Sequence, residues 1–276
     1  MKYDIKPLRI GEILDQAVKL IQSRFALFFG ISACITIPVG LILNFTMLSI
    51  APQMPANPTP EDVRVFQEAM AKNLLPILLV SGLGYILVYP LMTGSMIHAV
   101  ASEYLGKPTT VGASIRAAFK KFFPLLGTSI LMFLIVYLGL FLCIIPGLYF
   151  LVRYSLSSNI VMLEDKAGTK ALSRSSELML NDRTKNYNTL VLLWILLGVA
   201  GAGVGYIAGL VPQPHLQVVV SVVIQALFQA FGAAALAIFY FSCRCKADNF
   251  DLELLASSIE SAPRANDAVP FADDFK

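Results

Sequence analysis

A chain of 276 residues that is 57% apolar and only 14% charged cannot cover a water-exposed surface, since soluble domains carry about 25% charged residues. The formal charge of +3 is too small in total to specify a partner, so its distribution along the chain carries the information. Four runs lack Asp, Glu, Lys and Arg, at 25–60, 73–102, 122–152 and 186–243; each exceeds the roughly 20 apolar residues that cross a bilayer, and none alternates at a period of two, which favours helices over a barrel.

In chain order, Asp4, Glu12 and Asp15 interrupt the stretch where the apolar region of a signal peptide would lie, so the first span is expected to be retained. Ile10, Ile13, Leu14, Ala17, Ile21 and Phe25 recur at helical spacing ahead of that span, which occupies 26–50 with a kink expected at Pro38. A Pro-rich segment follows, and then Thr59 as N-cap, Pro60 at the first helical position and Glu61/Asp62 in the first turn mark a helix start. That helix leads into a second span at 74–101, with bends expected at Pro76 and Pro90.

Val111, Ile115, Ala118, Phe119 and Phe122 form a second apolar stripe before a third span at 124–144. Pro146 and Gly147 supply the expected hairpin turn into a fourth span at 148–163. Ala171, Leu172, Ser175, Leu178 and Met179 form a third stripe. The 58-residue run at 186–243 is too long for one crossing, and Val211-Pro-Gln-Pro-His215 divides it into spans at 187–210 and 216–242. The reading is an all-α integral membrane protein with six transmembrane helices as three hairpins, each preceded by an amphipathic interfacial helix. Residues 1–255 form a single domain, and 256–276 form a disordered cytoplasmic tail without apolar period.

Lys and Arg set the orientation. Eighteen of them flank the spans on the side of the two termini, against Arg64 and Lys72 on the other, with Arg153 inside a span. This bias places both termini on the cytoplasmic side of an inner or cytoplasmic membrane. The strings Ile10-Gly-Glu-Ile-Leu-Asp-Gln-Ala17 and Val111-Gly-Ala-Ser-Ile-Arg-Ala-Ala118 resemble one another, and Ala167-Gly-Thr-Lys-Ala-Leu172 is a weaker third copy. Three units of interfacial helix plus hairpin are expected. Any basic segment beside a span looks amphipathic, however, so the third copy is left open.

The opening Pro7-Leu-Arg-Ile-Gly-Glu-Ile-Leu-Asp-Gln-Ala-Val-Lys-Leu20 resembles the start of bacterial proteins in the family of the glycerophosphodiester phosphodiesterase membrane domain. Ile145-Pro-Gly-Leu-Tyr-Phe-Leu-Val-Arg-Tyr154, Val161-Met-Leu-Glu-Asp165 and Ala171-Leu-Ser-Arg-Ser-Ser176 are similar to that family's Pro-Gly hairpin and Arg-Ser helix, and to related six-span inner-membrane proteins. The resemblance spans all six helices and implies architecture. Some members carry a separate hydrolytic domain; these 276 residues hold none, so catalysis is not carried over and a lipid-related role is only hinted at.

Arg153 is the foremost candidate residue, because a charge within a span is costly; snorkelling or bonding of carbonyls freed at the turn is the competing account. Asn159, Gln225 and Gln229 could line a polar path with it, although amides in spans more often join helices. Lys19, Arg24, Arg116, Lys120, Lys121, Lys170 and Arg174 are candidate contacts for anionic lipid headgroups. Gly201, Gly205 and Gly209 offer a face for helix packing, and Glu164/Asp165 with Arg174/Glu177 suggest an ion-pair network. Cys243 and Cys245 lie where an acyl chain could attach, although a pair of ordinary thiols is the preferred reading. No phosphate loop, zinc-ligand spacing or Ser/His/Asp set occurs, so neither cofactor nor enzyme chemistry is expected.

The expected function is that of a non-enzymatic membrane scaffold or accessory protein that meets lipids or partner proteins at the cytoplasmic interface. A transporter or permease for a small solute or lipid, with its path near Arg153, Asn159, Gln225 and Gln229, is the alternative. Anionic lipids, a protein partner or a second copy of the chain are the expected partners, and nucleic acid is not.

Overall fold

A computed structural model describes residues 6–50 and 58–253, and among them the chain is helical with no strand. The helices are α1 (Ile10–Ser23), α2 (Phe25–Ile50), α3 (Pro60–Tyr104), α4 (Val111–Lys120), α5 (Phe122–Leu142), α6 (Ile144–Arg153), α7 (Ser157–Leu163), α8 (Thr169–Asn181), α9 (Arg183–Gly209) and α10 (Pro214–Asp248). Four are long and apolar enough to cross a membrane: α2 over Phe25–Thr46, α5, α9, and α10 over His215–Asp248. The tail at 256–276 lies outside the described residues.

Thr59 starts α3 as its sequence dictates. Its hydroxyl accepts from the Asp62 amide at 3.3 Å while its own amide donates to the Asp62 carboxylate at 2.8 Å, a reciprocal cap for two otherwise unpaired donors. The helix then continues for 45 residues through Pro76 and Pro90, roughly 68 Å at the standard rise. Likewise α2 continues through Pro38.

A local pattern recurs three times. A short helix ends, one residue leaves helical geometry, and a long helix begins: Arg24 between α1 and α2, Lys121 between α4 and α5, Asp182 between α8 and α9. Polar contacts then tie the start of each long helix to the end of a later helical segment. Arg24 pairs with Glu103 at 3.0 Å. Lys121 donates to the carbonyls of Val161 and Met162 at 3.3 and 2.7 Å and pairs with Asp165 at 2.6 Å. The Asn186 side chain accepts from Lys246 at 3.0 Å.

Two expectations are corrected. The chain reverses at Cys143, which is fully extended at φ −170° and ψ 150°, so Pro146 and Gly147 are the third and fourth residues of α6 rather than the turn. Proline is tolerated there because the amides of a first helical turn have no partner within the helix. Gly147 has a different use: a Cβ on it would lie 2.4 Å from Leu140 Cγ and 2.7 Å from the Leu140 amide nitrogen. Only hydrogen lets α6 lie this close to the α5 backbone, and Gly139 faces Gly147 in the same contact.

The expected fourth span at 148–163 is also not one helix. It breaks at Tyr154–Leu156 into the end of α6 and the whole of α7. The freed backbone groups are met from α8, where Ser175 Oγ donates to the Arg153 carbonyl at 2.9 Å and accepts from the Leu156 amide at 3.3 Å.

Substituting Gly147→Ala should destabilise the protein by about 1–3 kcal/mol, because the new methyl meets backbone that must move. Thermal unfolding in detergent would measure it. Gly112→Ala in α4, where nothing lies within 4 Å of the new atom, should be neutral or mildly stabilising.

Candidate functional site

The best-packed part of the molecule is the end where the three short helices lie. There α1 buries Ile13, Ala17 and Leu20, α4 buries Ser114 and Ala118, and α8 buries Ala171, Leu172, Leu178 and Met179 together with Ser175 and Ser176. They close on the last turns of α3 and α10, including Tyr104, Phe239, Tyr240 and Cys243. Tyr104 donates to Gln16 of α1 at 2.8 Å, and Ser242 accepts the Leu8 amide at 2.8 Å. At the far end, apolar side chains such as Phe141, Leu142, Ile144 and Ile145 stand exposed.

Glu164, at the C-terminal end of α7, gathers the charges of this layer. It accepts from Lys166 at 2.8 Å, from Arg174 of α8 at 3.1 Å and from the Tyr240 hydroxyl of α10 at 2.9 Å. Arg174 also bonds Asp248 at the end of α10, which Arg244 approaches at 3.4 Å. The cluster therefore joins α7, α8 and α10. Glu164, Arg174 and Glu177 were legible as an ion-pair network; Tyr240 and Asp248 were not, because they lie 76 and 74 residues from their partners.

Arg153 is engaged by its neighbours on α6 and α8. Its Nε donates to Ser176 Oγ at 2.7 Å and Nη1 to the Tyr149 hydroxyl at 3.2 Å. The guanidinium carbon lies 5.7 and 5.9 Å from the Tyr149 and Tyr154 ring centres, contacts worth about 0.5–2 kcal/mol each according to their hydration. Arg183 at the start of α9 also approaches this aromatic group, 5.6 Å from Tyr149 and 5.9 Å from Tyr187. The arrangement holds the broken helix against α8 and α9.

The four residues expected to share a path separate into different places. Gln225 and Gln229 of α10 line a cavity of about 170 Å³ with Thr36 and Asn44 of α2 and Tyr89 of α3. Thr36 Oγ1 lies 3.5 Å from Gln229 Oε1. Neither Arg153 nor Asn159 borders this space. Asn159 is fully buried in α7, and neither of its side-chain polar atoms has a hydrogen-bond partner among the described residues. The separation follows from packing: α6 and α7 lie against α3, α5, α8 and α9, while the Gln pair lies between α2 and α3.

The glycine stripe is corrected as well. Gly201 meets Phe228 of α10, where a Cβ would lie 3.1 Å from the ring, but nothing comes within 4 Å of one on Gly205 or Gly209. Gly201 and Gly205 instead border an open groove with Gln225. Cys243 and Cys245, a candidate acylation pair, are both buried.

The candidate headgroup cations divide into two groups. Lys121 and Arg174 are engaged internally, Arg24 pairs with Glu103, and Lys19 pairs with Asp15 at 2.6 Å on the surface. Arg116, Lys120 and Lys170 are exposed. Arg116 and Lys120 make no ion pair among the described residues. Beside them Phe119 and Phe123 are 70% and 79% exposed. The spacing 116, 119, 120 puts two cations and a ring on one side of α4, and Phe123 follows just beyond the break at Lys121.

No protein-family model, curated protein or solved structure matches this chain.

Burial raises the Glu164 carboxyl, but hydrogen bonds from Lys166 and Tyr240 and the charges of Arg174 and Lys166 outweigh it, leaving Glu164 below its ordinary value of 4.5. A carboxyl depressed in this way stabilises the fold above its unfolded value, and the contribution disappears as pH falls through the folded one. The unfolding temperature should therefore be lower in Glu164→Gln than in the natural chain at pH 7. That difference should shrink as pH is taken below 4.5, as thermal scans across pH would show.

Proposed function

We propose that this chain is a six-span protein of a bacterial cytoplasmic membrane, with both termini inside, that acts as a non-enzymatic scaffold or accessory protein. In this reading α1, α4 and α8 lie at the cytoplasmic interface and meet anionic lipid headgroups or a protein partner. α3 supplies the second span, and α6 with α7 supplies a broken fourth. Support for the fourth comes from Lys121 at the start of α5, which bonds residues 161, 162 and 165. The segment after Cys143 thus returns along the length of α5.

The observation that carries the lipid part of the reading is the exposed set of Arg116, Phe119, Lys120 and Phe123. In water, two rings so exposed would form an unfavourable surface. At the boundary between headgroups and acyl chains, the rings enter the apolar layer while the cations meet phosphate. The sequence resemblance to the glycerophosphodiester phosphodiesterase membrane domain is retained as a proposal of kinship and carries no activity. A transport path through Arg153, Asn159, Gln225 and Gln229 is not adopted, since only the two glutamines line a common cavity.

Topology has a native reporter. Cys143 is exposed at the reversal between α5 and α6, Cys34 is exposed midway along α2, where in this reading lipid covers it from a polar reagent, and Cys243 and Cys245 are buried. A membrane-impermeant maleimide should label intact cells through Cys143 and should not label Cys143→Ser; labelling of Cys143 only after permeabilisation would refute the orientation.

For the lipid reading, the protein would be reconstituted in mixed zwitterionic and anionic lipid and the lipid retained on re-extraction quantified. Enrichment in anionic lipid is expected, falling by about half or more in Arg116→Gln/Lys120→Gln, at about 1 kcal/mol per interfacial cation. Equal retention of both lipid classes by the natural chain would defeat the reading.

A further inference from the structure

A second basic surface lies at the same end of the molecule, assembled from segments far apart in the sequence. Pro7, Leu8, Arg9 and Ile10 at the start of α1, Lys185, Asn188 and Thr189 in the first turns of α9, and Lys246 near the end of α10 line an open groove of about 550 Å³. Three cations therefore converge from three elements, beside an amide and a hydroxyl. Arg9 and Lys185 are exposed.

The acidic groups nearby leave the groove basic. Asp182 forms an ion pair with Lys185 at 3.5 Å that leaves the lysine 78% exposed and the three cations in excess of it by two, and the Glu12 carboxylate is held by the Arg9 backbone amide at 2.7 Å. The Arg9 guanidinium makes no ion pair among the described residues. Lys246 donates one bond to Asn186 at 3.0 Å, and an ammonium has two further donors. This pairing positions Lys246 at the rim of the groove without neutralising it.

We propose that this groove binds a phosphate monoester, carried by a lipid headgroup or by a free soluble compound. Three convergent cations suit a group bearing about −1.5 to −2 charge better than a zwitterionic diester, whose own ammonium they would repel. Asn188 and Thr189 add neutral hydrogen-bonding groups for the remaining oxygens. The space exceeds a bare phosphate, and the apolar rim of Pro7, Leu8 and Ile10 can meet the carbon skeleton attached to it. Position favours a lipid source, because the charge-free run of α9 begins at residue 186, within the groove itself. That depth rests on the six-span proposal, whereas the convergence of the cations does not.

The test uses the full chain in detergent, titrated with short-chain phosphatidic acid by native mass spectrometry and with inorganic phosphate by calorimetry. Arg9→Gln/Lys185→Gln removes two exposed cations and spares Lys246, whose bond to Asn186 is structural; an unchanged unfolding temperature shows that the fold is intact. This variant should bind the phosphate group about tenfold or more weakly, at about 1 kcal/mol per cation, while Arg116→Gln/Lys120→Gln leaves that affinity unchanged. Phosphatidic acid binding that millimolar phosphate does not displace supports the lipid source. Phosphate binding lost in the groove variant supports the soluble one. Wild-type affinity in the groove variant for both probes overturns the proposal, and does so with the wider lipid reading intact if anionic lipid is still enriched through α4. A natural chain that enriches no anionic lipid and binds neither probe overturns both.

Discussion

Lys121 displays the constraint on which much of this architecture depends: polar groups at the ends of apolar helices must find partners at one common level. Its ammonium satisfies two carbonyls at the end of α7 and pairs with Asp165 just beyond it. Hydrogen bonds to a charged group are worth about 1.5–3 kcal/mol each when partly buried. Arg24 with Glu103 and Lys246 with Asn186 make comparable contacts near the starts of α2 and α9. The partners differ chemically, yet each joins the beginning of a long helix to the end of the helical segment that comes back beside it. The recurrence is therefore one of position, and the local strings around residues 10, 111 and 167 preserve it only faintly.

The break between α6 and α7 follows from the same requirement. Interrupting a helix frees backbone amides and carbonyls, and in an apolar setting each unpaired group costs several kcal/mol. Ser175 supplies one donor and one acceptor to the break, and Ser176 holds the Arg153 side chain that stands beside it. Arg153 is thus explained by the joint it fastens. Its two hydrogen bonds and its tyrosine contacts occupy the guanidinium within the meeting point of α6, α8 and α9.

Functional potential is distributed between two levels. Along the long helices, Gln225 and Gln229 border a small, partly open cavity with Thr36 and Asn44. At the densely packed end, exposed cations stand on α4 with two aromatic rings, and a separate basic groove forms where α1, α9 and α10 meet. The second level holds the exposed cations and rings, which is why it supports the stronger reading.

Much of the local architecture was written in the sequence. Charge-free runs and helical spacing gave the long helices and the three short ones, and Thr59 with Asp62 gave the start of α3. These features depend on neighbours within a few residues, where backbone geometry and solvent preference act directly. Pro146–Gly147 was misleading because the same dipeptide that favours a turn also fits a helix start packed closely on another backbone. Likewise, spacing put Gly201, Gly205 and Gly209 on one face but could not say that only Gly201 meets a neighbouring helix. Which cations are consumed internally, which glutamines share a cavity, and that Arg9, Lys185 and Lys246 form one groove were decided by tertiary structure alone. Those relations join residues up to 237 positions apart, and no local periodicity records which distant side chain will fill the space beside a given one.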